Sequence, residues 1–387
     1  MARLMAPEEL LARLVAFDSS SQVSNLPIAD FICDYLDAPD VRVFRNPSAN
    51  GEKVNVVIAR GPRDEGGGGL TLCGHLDTVP FAEPDWTNDP LALTRRDDRL
   101  IGRGACDMKG FLALAVHRFA SLNQSALRCP LVLLLTCDEE LGTLGSRRFV
   151  ETWSGDEPLP RSVVIGEPTS LSVVRSHKGH LKLRIIIQGR AGHSAYPASG
   201  LNAIELAGGV IERLRELSCS LAAERSEDGA LFGPVPHATL NLATISGGVA
   251  LNVIPERCVL EVGIRTMPGM TSFDVTGRIR RAVAAAVEGC GAVEVIGDSP
   301  PLRTSELAPI HVAVAGLMNQ RGSRAVAFAS DAGWLQTMGL DCVLWGPGSI
   351  EEAHRADEWL PASEFERAAG LLDRLVHQWC VAESSKP

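Results

Sequence analysis

The sequence predicts an α/β domain built on a mostly parallel mixed sheet, interrupted by an inserted α+β two-layer sandwich. Three observations lead there. The chain has 387 residues, more than a single hydrophobic core usually serves. Three continuous apolar runs in the first half each end in histidine or acidic residues, as strands buried on both faces do when their carboxyl ends meet a ligand. The middle of the chain instead alternates apolar and polar residues, the mark of half-exposed antiparallel strands.

Taken in order, Pro7 to Ala16 and Leu26 to Leu36 space their apolar residues as helices do. Val54 to Ala59 reads as a strand, and Asp64 to Gly69, ending in a glycine run, as a loop. Leu70 to Cys73 is a short buried strand that runs into Gly74-His75-Leu76-Asp77-Thr78. Met108 to Ser121 is an amphipathic helix. Leu131 to Thr136 is a buried strand ending at Asp138-Glu139-Glu140, and Ser162 to Ile165 repeats the pattern, ending at Glu167. Ligands of open α/β sheets bind beyond the carboxyl ends of the strands, so His75, Asp77, Glu139, Glu140 and Glu167 are expected on one rim. Next, Leu181 to Gln188 alternates, Gly200 to Leu217 is helical, Thr239 to Ile245 and Arg257 to Arg265 alternate, and Ser272 to Val287 is an alanine-rich helix. Strand-helix-strand-strand-helix-strand is the order of a two-layer sandwich. The inserted domain is placed at 177–291, which leaves 1–176 and 292–387 as the two parts of the first domain. The last part returns to buried strands, Ala325 to Phe328 and Asp341 to Trp345, and closes on a helix from Ala362 to Val381.

Composition narrows the function. Hydrophobic residues at 45 % and charged residues at 22 % give an ordinary globular balance. The net charge of −10 comes with no basic stripe, which excludes the usual nucleic-acid footprint. No run approaches the ~18 apolar residues of a membrane span. The first residues lack an apolar block with a cleavage site, so a cytoplasmic location is expected. The ten cysteines are scattered without a Cys-x-x-Cys pair; they read as reduced, small apolar residues, and a thiolate zinc site is disfavoured. A cysteine hydrolase using Cys73 or Cys106 lacks a base partner.

Zinc accepts imidazole nitrogen and carboxylate oxygen, and a two-metal site needs about five protein ligands with one bridging carboxylate. His75, Asp107, Glu140, Glu167 and His354 are the candidates. Each stands beside a glycine element able to turn the backbone. Any one of them alone reads as well as a solvated acid or a structural histidine. Five at strand ends point to a metal, although pattern alone does not single it out.

The motifs themselves resemble a known family. Gly74-His75-Leu76-Asp77-Thr78-Val79-Pro80 is similar to the first metal motif of the di-zinc aminoacylase and carboxypeptidase family, and Gly102-Arg103-Gly104-Ala105-Cys106-Asp107-Met108-Lys109-Gly110 to its second. Asp138-Glu139-Glu140, Gly166-Glu167-Pro168 and Ala353-His354 complete the set, in the family's order and over nearly the whole chain. The resemblance implies two zinc ions, with cobalt able to substitute. Asp107 would bridge them, His75 and Glu167 would complete one ligand set, and Glu140 and His354 the other. Asp77 would hold the His75 ring by its free nitrogen, and Glu139 would be the general base. A cis Asp107–Met108 peptide is also implied. Gly189-Arg190-Ala191-Gly192-His193-Ser194-Ala195 resembles the family's lid motif, in which the histidine reaches the partner subunit's active site and stabilises the oxyanion. The inserted domain would then serve as lid and dimerisation domain of a homodimer. Asn252 and Arg265 fall in the stretch that would contact substrate, Arg265 as a carboxylate clamp.

Phe17-Asp18-Ser19-Ser20-Ser21, Ser24-Asn25-Leu26 and the run from Gly346 to Glu358 resemble the acetylornithine deacetylase branch. That branch implies a small N-acyl amino acid substrate, Nα-acetyl-L-ornithine, and a place in arginine biosynthesis. The alternatives are succinyl-diaminopimelate desuccinylation and a broader N-acyl amino acid deacylase. A non-catalytic binder on the same fold is the rival of another class, and the presence of Glu139 with every ligand position speaks against it. One departure stands at Ser330-Asp331-Ala332-Gly333, where the branch pattern has Thr-Glu; a shorter acid touching substrate would shift its preference.

Overall fold

A computed structural model describes residues 3–381. In chain order the main strands are β1 (Val41–Pro47), β2 (Val54–Arg60), β3 (Leu70–His75), β4 (Leu131–Thr136), β5 (Ser162–Ile165), β6 (Gly179–Gln188), β7 (Thr239–Gly247), β8 (Arg257–Thr266), β9 (Gly291–Ser299) and β10 (Asp341–Leu344). The main helices are α1 (Pro7–Val15), α2 (Leu26–Tyr35), α3 (Gly110–Ser121), α4 (Leu144–Thr152), α5 (Ala203–Ala223), α6 (Ser272–Ala286), α7 (Pro309–Met318) and α8 (Ala362–Cys380). The chain divides into two units. The first takes in the chain up to Arg175, Thr304–Arg324 and the chain from Ser330; the second is Ser176–Arg303 with Ala325–Ala329.

The first unit is built on one sheet in the order β1-β2-β4-β3-β5-β10. β4, β3, β5 and β10 are parallel neighbours, and β1 and β2 add an antiparallel edge. Every residue of β2, β3 and β4 is buried, which is why these strands are continuous apolar runs and not alternating ones. Leu10, Leu14, Ile28, Phe111, Leu112, Val116, Leu372 and Val376 of α1, α2, α3 and α8 cluster with Val56, Ile58, Leu72 and Leu133 of the sheet. Each such side chain withdrawn from water contributes about 1.5–3 kcal/mol. The register sets up the site: His75 pairs with Thr136 and Cys73 with Ile165, so the segments after β3, β4 and β5 leave the sheet side by side.

Differences from the sequence reading have local causes. The helix expected from Met108 begins at Gly110, because Ala105–Lys109 forms a wider turn in which Asp107 and Met108 leave helical φ/ψ. The Asp107–Met108 peptide is cis. Ala325–Val326 is a two-residue, half-buried strand that pairs in parallel with Ser176–His177, so it belongs to the second unit and not to the first sheet.

The second unit carries an antiparallel sheet in the order β7-β8-β6-β9, with α5 and α6 packed on one face. Leu181, Leu183, Ile185 and Ile187 of β6 and Cys258, Leu260, Val262 and Ile264 of β8 point into that core against Ala207, Val210, Leu214, Ile279 and Val283. Here period-two strands meet period-3.6 helices. The expected boundary at 291 falls on the first residue of β9. That strand pairs along β6 from Gly291–Ile187 to Ser299–His180, so the unit continues to Arg303. Gly291, Gly297 and a register shift between Val295 and Gly297 break the pattern that would have revealed it. All ten cysteines are free. Among the described residues no helix is long and apolar enough to cross a membrane.

Candidate metal centre

Each predicted ligand leaves the sheet at a point where the backbone is forced to turn. His75 ends β3. Glu140 follows the end of β4 through Asp138, which has φ 54°. Glu167 follows β5 through Gly166, where a Cβ would lie 1.9 Å from Phe111 Cδ1; only glycine lets β5 end against α3. Asp107 sits in the wide turn that opens at Gly104, whose φ of 76° is left-handed. His354 itself has φ 60°, a conformation uncommon outside glycine.

These turns converge. Ligand atoms of His75, Asp107 and Glu167 lie within 4.8 Å of one another, as do those of Asp107, Glu140 and His354. Asp107 belongs to both groups and offers one oxygen to each: Oδ1 is 3.0 Å from His75 Nε2, and Oδ2 is 3.4 Å from His354 Nε2. Glu140 Oε1 stands 3.0 Å from His354 Nε2. Glu167 Oε1 is buried without a hydrogen-bond partner among the described residues.

The electrostatics ask for cations. Burial raises the Glu139 and Glu167 carboxyls, and neighbouring acids, Glu167 for the one and Asp107 for the other, push them further. Burial also raises Glu140, against the pull of His354. Burial opposes charge on Asp107 too, yet hydrogen bonds with His354 and His75 hold it below the usual carboxylate range. His354, bonded to Asp107 and Glu140, is pushed up to about 10. Acids crowd here without enough positive charge from the chain, and the donors are imidazole nitrogen and carboxylate oxygen. Two triads sharing one carboxylate and holding an orphaned buried oxygen fit a pair of divalent ions.

Asp77 works differently from the expectation. His75 Nδ1 is 2.9 Å from the backbone carbonyl oxygen of Asp77, while the nearest carboxylate oxygen is 3.8 Å away. The carboxylate is engaged elsewhere. Its Oδ1 accepts from Glu139 N–H at 3.1 Å, and its Oδ2 from Glu140 N–H at 3.2 Å and the Ser21 hydroxyl at 2.8 Å. Asp77 therefore orients the ring through its main chain and fixes the Glu139–Glu140 backbone through its side chain.

Sequence reasoning missed two supports. Glu358 is buried and accepts from the backbone N–H groups of Gly104, Cys106 and Asp107 and from Arg103, so it shapes the loop of the shared aspartate. Its place four residues after His354 was the only signal. Asp331, the departure from the branch pattern, is 1 % exposed and accepts from Thr136 Oγ1 at 2.6 Å. It braces the end of β4.

The remaining predicted residues lie in the second unit. Exposed His193 is on the short strand Gly192–His193, which pairs with Val253–Ile254, and its Nδ1 accepts from Ala195 N–H. Asn252 is an exposed turn residue whose backbone carbonyl accepts from Ser194 N–H. Arg265 is half-buried on β8 opposite His180; burial lowers its guanidinium pKa with no acid opposing the shift. His177 and Lys178 are buried, the Lys178 ammonium donating to the carbonyls of Val235 and His237.

Residues 71–378 match peptidase family M20/M25/M40. The chain is 40 % identical to the acetylornithine deacetylase of Klebsiella pneumoniae (strain 342) over 85 % of its length and 84 % of that protein. It is 36 % identical to the acetylornithine deacetylase of Myxococcus xanthus over 97 % of its length and 98 % of that protein. The Bacillus subtilis YXEP protein, a dinuclear metal-binding peptidase from the M20 family, shares the fold with a TM-score of 0.65 at 15 % identity, over 96 % of this chain and 97 % of that one.

Proposed function

This chain belongs to peptidase family M20/M25/M40, and on that premise we propose that it hydrolyses Nα-acetyl-L-ornithine to L-ornithine and acetate, holding two zinc ions for which cobalt can substitute. It is a metal-dependent hydrolase by family. The observation that carries the finer reading is the pair of ligand triads meeting at Asp107, with Glu139 adjacent to Glu140. His75, Asp107 and Glu167 would hold one ion, and Asp107, Glu140 and His354 the other. When bound, such a pair supplies Lewis acidity toward an amide carbonyl and toward water. Glu139 takes the proton of the attacking water and returns it to the amine nitrogen as the carbon–nitrogen bond breaks. Burial and the Glu167 charge raise its carboxyl, which suits a group that must both accept and release a proton.

The second unit supplies the rest of the reading. His193 donates a hydrogen bond to the carbonyl oxygen as it gains charge, in the active site of the partner subunit of a homodimer. Arg265 takes the substrate carboxylate, and Asn252 is a further substrate contact. Val249 and Leu251, 87 % and 103 % exposed, stand on the turn next to Asn252, the kind of apolar surface that a second copy covers. The relatives named acetylornithine deacetylase support the choice of acyl group and amine.

A panel of N-acetyl, N-succinyl and N-formyl amino acids, assayed with zinc and with cobalt, tests the proposal. Nα-acetylornithine is expected to give the highest kcat/KM. Chelation should abolish turnover, and readdition of either metal should restore it. A higher kcat/KM for N-succinyl-diaminopimelate would replace the substrate, and turnover indifferent to exhaustive chelation would overturn the metal reading.

A further inference from the structure

We propose that Ser21 is a positioning residue for the general base: its hydroxyl keeps the Asp77 carboxylate on the Glu139–Glu140 backbone and off the His75 ring. The inference rests on Glu139 acting as that base. Ser21, 6 % exposed, lies 56 residues from Asp77 in sequence and donates to Asp77 Oδ2 at 2.8 Å. Among the described residues that oxygen otherwise has only the longer 3.2 Å bond from Glu140 N–H. The Asp77 carboxylate, itself 0 % exposed, cannot replace a lost donor with bulk water, and a buried acceptor short of donors is costly. The nearest alternative is the Nδ1 edge of His75, 3.8 Å from Oδ1 and now taken by the Asp77 carbonyl at 2.9 Å. Without the hydroxyl the carboxylate turns toward that edge and releases the amides of Glu139 and Glu140.

Ser21 is itself firmly placed. Its N–H donates to Thr78 O at 3.0 Å, and Thr78 N–H donates back to Ser19 O at 3.2 Å. The Ser19 hydroxyl donates to Leu76 O at 2.7 Å. The carbonyl of Ser21 accepts from Lys53 Nζ at 2.9 Å, and the same ammonium pairs with Asp138 at 2.9 Å. The segment from Ser19 to Ser21 is thus tied both to the turn after β3 and, through Lys53, to the acid loop after β4. Such supporting contacts hold reacting groups to within a fraction of an ångström, and the Ser21 hydroxyl is the member of the set that touches the carboxylate.

Amide hydrogen exchange on the full-length, metal-loaded protein, beside steady-state kinetics, tests this. Ser21→Ala should speed exchange of the Glu139 and Glu140 amides at least tenfold while leaving the amides of β3 unchanged. Its kcat should fall about tenfold with KM within about twofold and metal content retained. Ser21→Thr, which keeps the hydroxyl, should restore both readouts, and in an Asp77→Asn background Ser21→Ala should cost nothing further. Unchanged exchange at Glu139 and Glu140 in Ser21→Ala would overturn the proposal, as would equal kinetic losses in both backgrounds. The exchange measurement needs no substrate, so a wild-type protein inert toward every N-acyl amino acid would sink the assigned reaction and leave this test standing.

Discussion

At the scale of single residues, the proposed centre separates groups that would hold ions from the group that would move a proton, although the two kinds are neighbours in sequence. Glu140 faces His354, whereas Glu139 is fixed by its main chain to Asp77 and has no side-chain hydrogen bond to a ligand among the described residues. Glu139→Gln keeps the main-chain bond and the shape while removing the base. It should lower kcat by about 10² to 10⁴ with metal content, read by elemental analysis, at the wild-type level; near-normal turnover would remove Glu139 from the role. The five proposed ligands were legible because His, Asp and Glu beside glycine turns fall in five motifs that occur in the family's order; the pattern of strand ends alone did not single out a metal. The work of Asp77 was not legible. Its two-residue offset from His75 fits a contact through carboxylate or through carbonyl equally well, and the choice is made by Ser21 and the Glu139 and Glu140 amides. The bracing roles of Asp331 and Glu358 stayed hidden for the same reason: their partners, Thr136 for the one and Gly104, Cys106 and Asp107 for the other, are brought to them only by the fold.

At the scale of elements, the buried strands β3, β4 and β5 were readable because burial on both faces leaves mostly apolar residues until the strand ends. The half-exposed pieces were harder. β1 and β9 lie at sheet edges, where one side carries no neighbour and the composition is mixed. The short strand Ser176–His177 carries a pH-dependent cost. His177 is 0 % exposed and donates from Nδ1 to the Lys178 carbonyl; burial lowers its pKa to about 4, and the Arg265 charge adds to the shift. Its folded pKa is therefore below its unfolded one, so the unfolded chain binds a proton that the folded chain refuses. Above about 6.5 the residue costs nothing. As pH falls from there toward 4, stability should drop by about 1.4 kcal/mol per unit, to a total of about 3 kcal/mol, and then level off. The urea midpoint of wild type compared with His177→Asn across this window measures the effect. The difference between the two should change with acidification, and parallel curves would show that His177 titrates normally.

At the scale of the whole molecule, the proposed ligands are gathered from segments between His75 and His354, so most of the first unit's chain must be in place before both triads exist. The second unit presents His193, Val249 and Leu251. If that surface joins two copies, Leu251→Asp should shift sedimentation from dimer to monomer and reduce turnover. Mixing His193→Ala with Glu139→Gln protein should recover about a quarter of wild-type activity through statistically formed heterodimers that each carry one intact site; no recovery would argue that His193 acts within its own chain. The split of the chain also has a bearing on how this architecture can be recombined. The peptide passes between units at Arg175–Ser176, Arg303–Thr304, Arg324–Ala325 and Ala329–Ser330. Strand Ser176–His177 is flanked by Leu302–Arg303 from before the second crossing and by Ala325–Val326 from after the third. A graft that swaps only 176–303 between relatives would leave that strand beside a neighbour of foreign ancestry, so chimeras that exchange Ala325–Ala329 as well are the ones that keep matched partners.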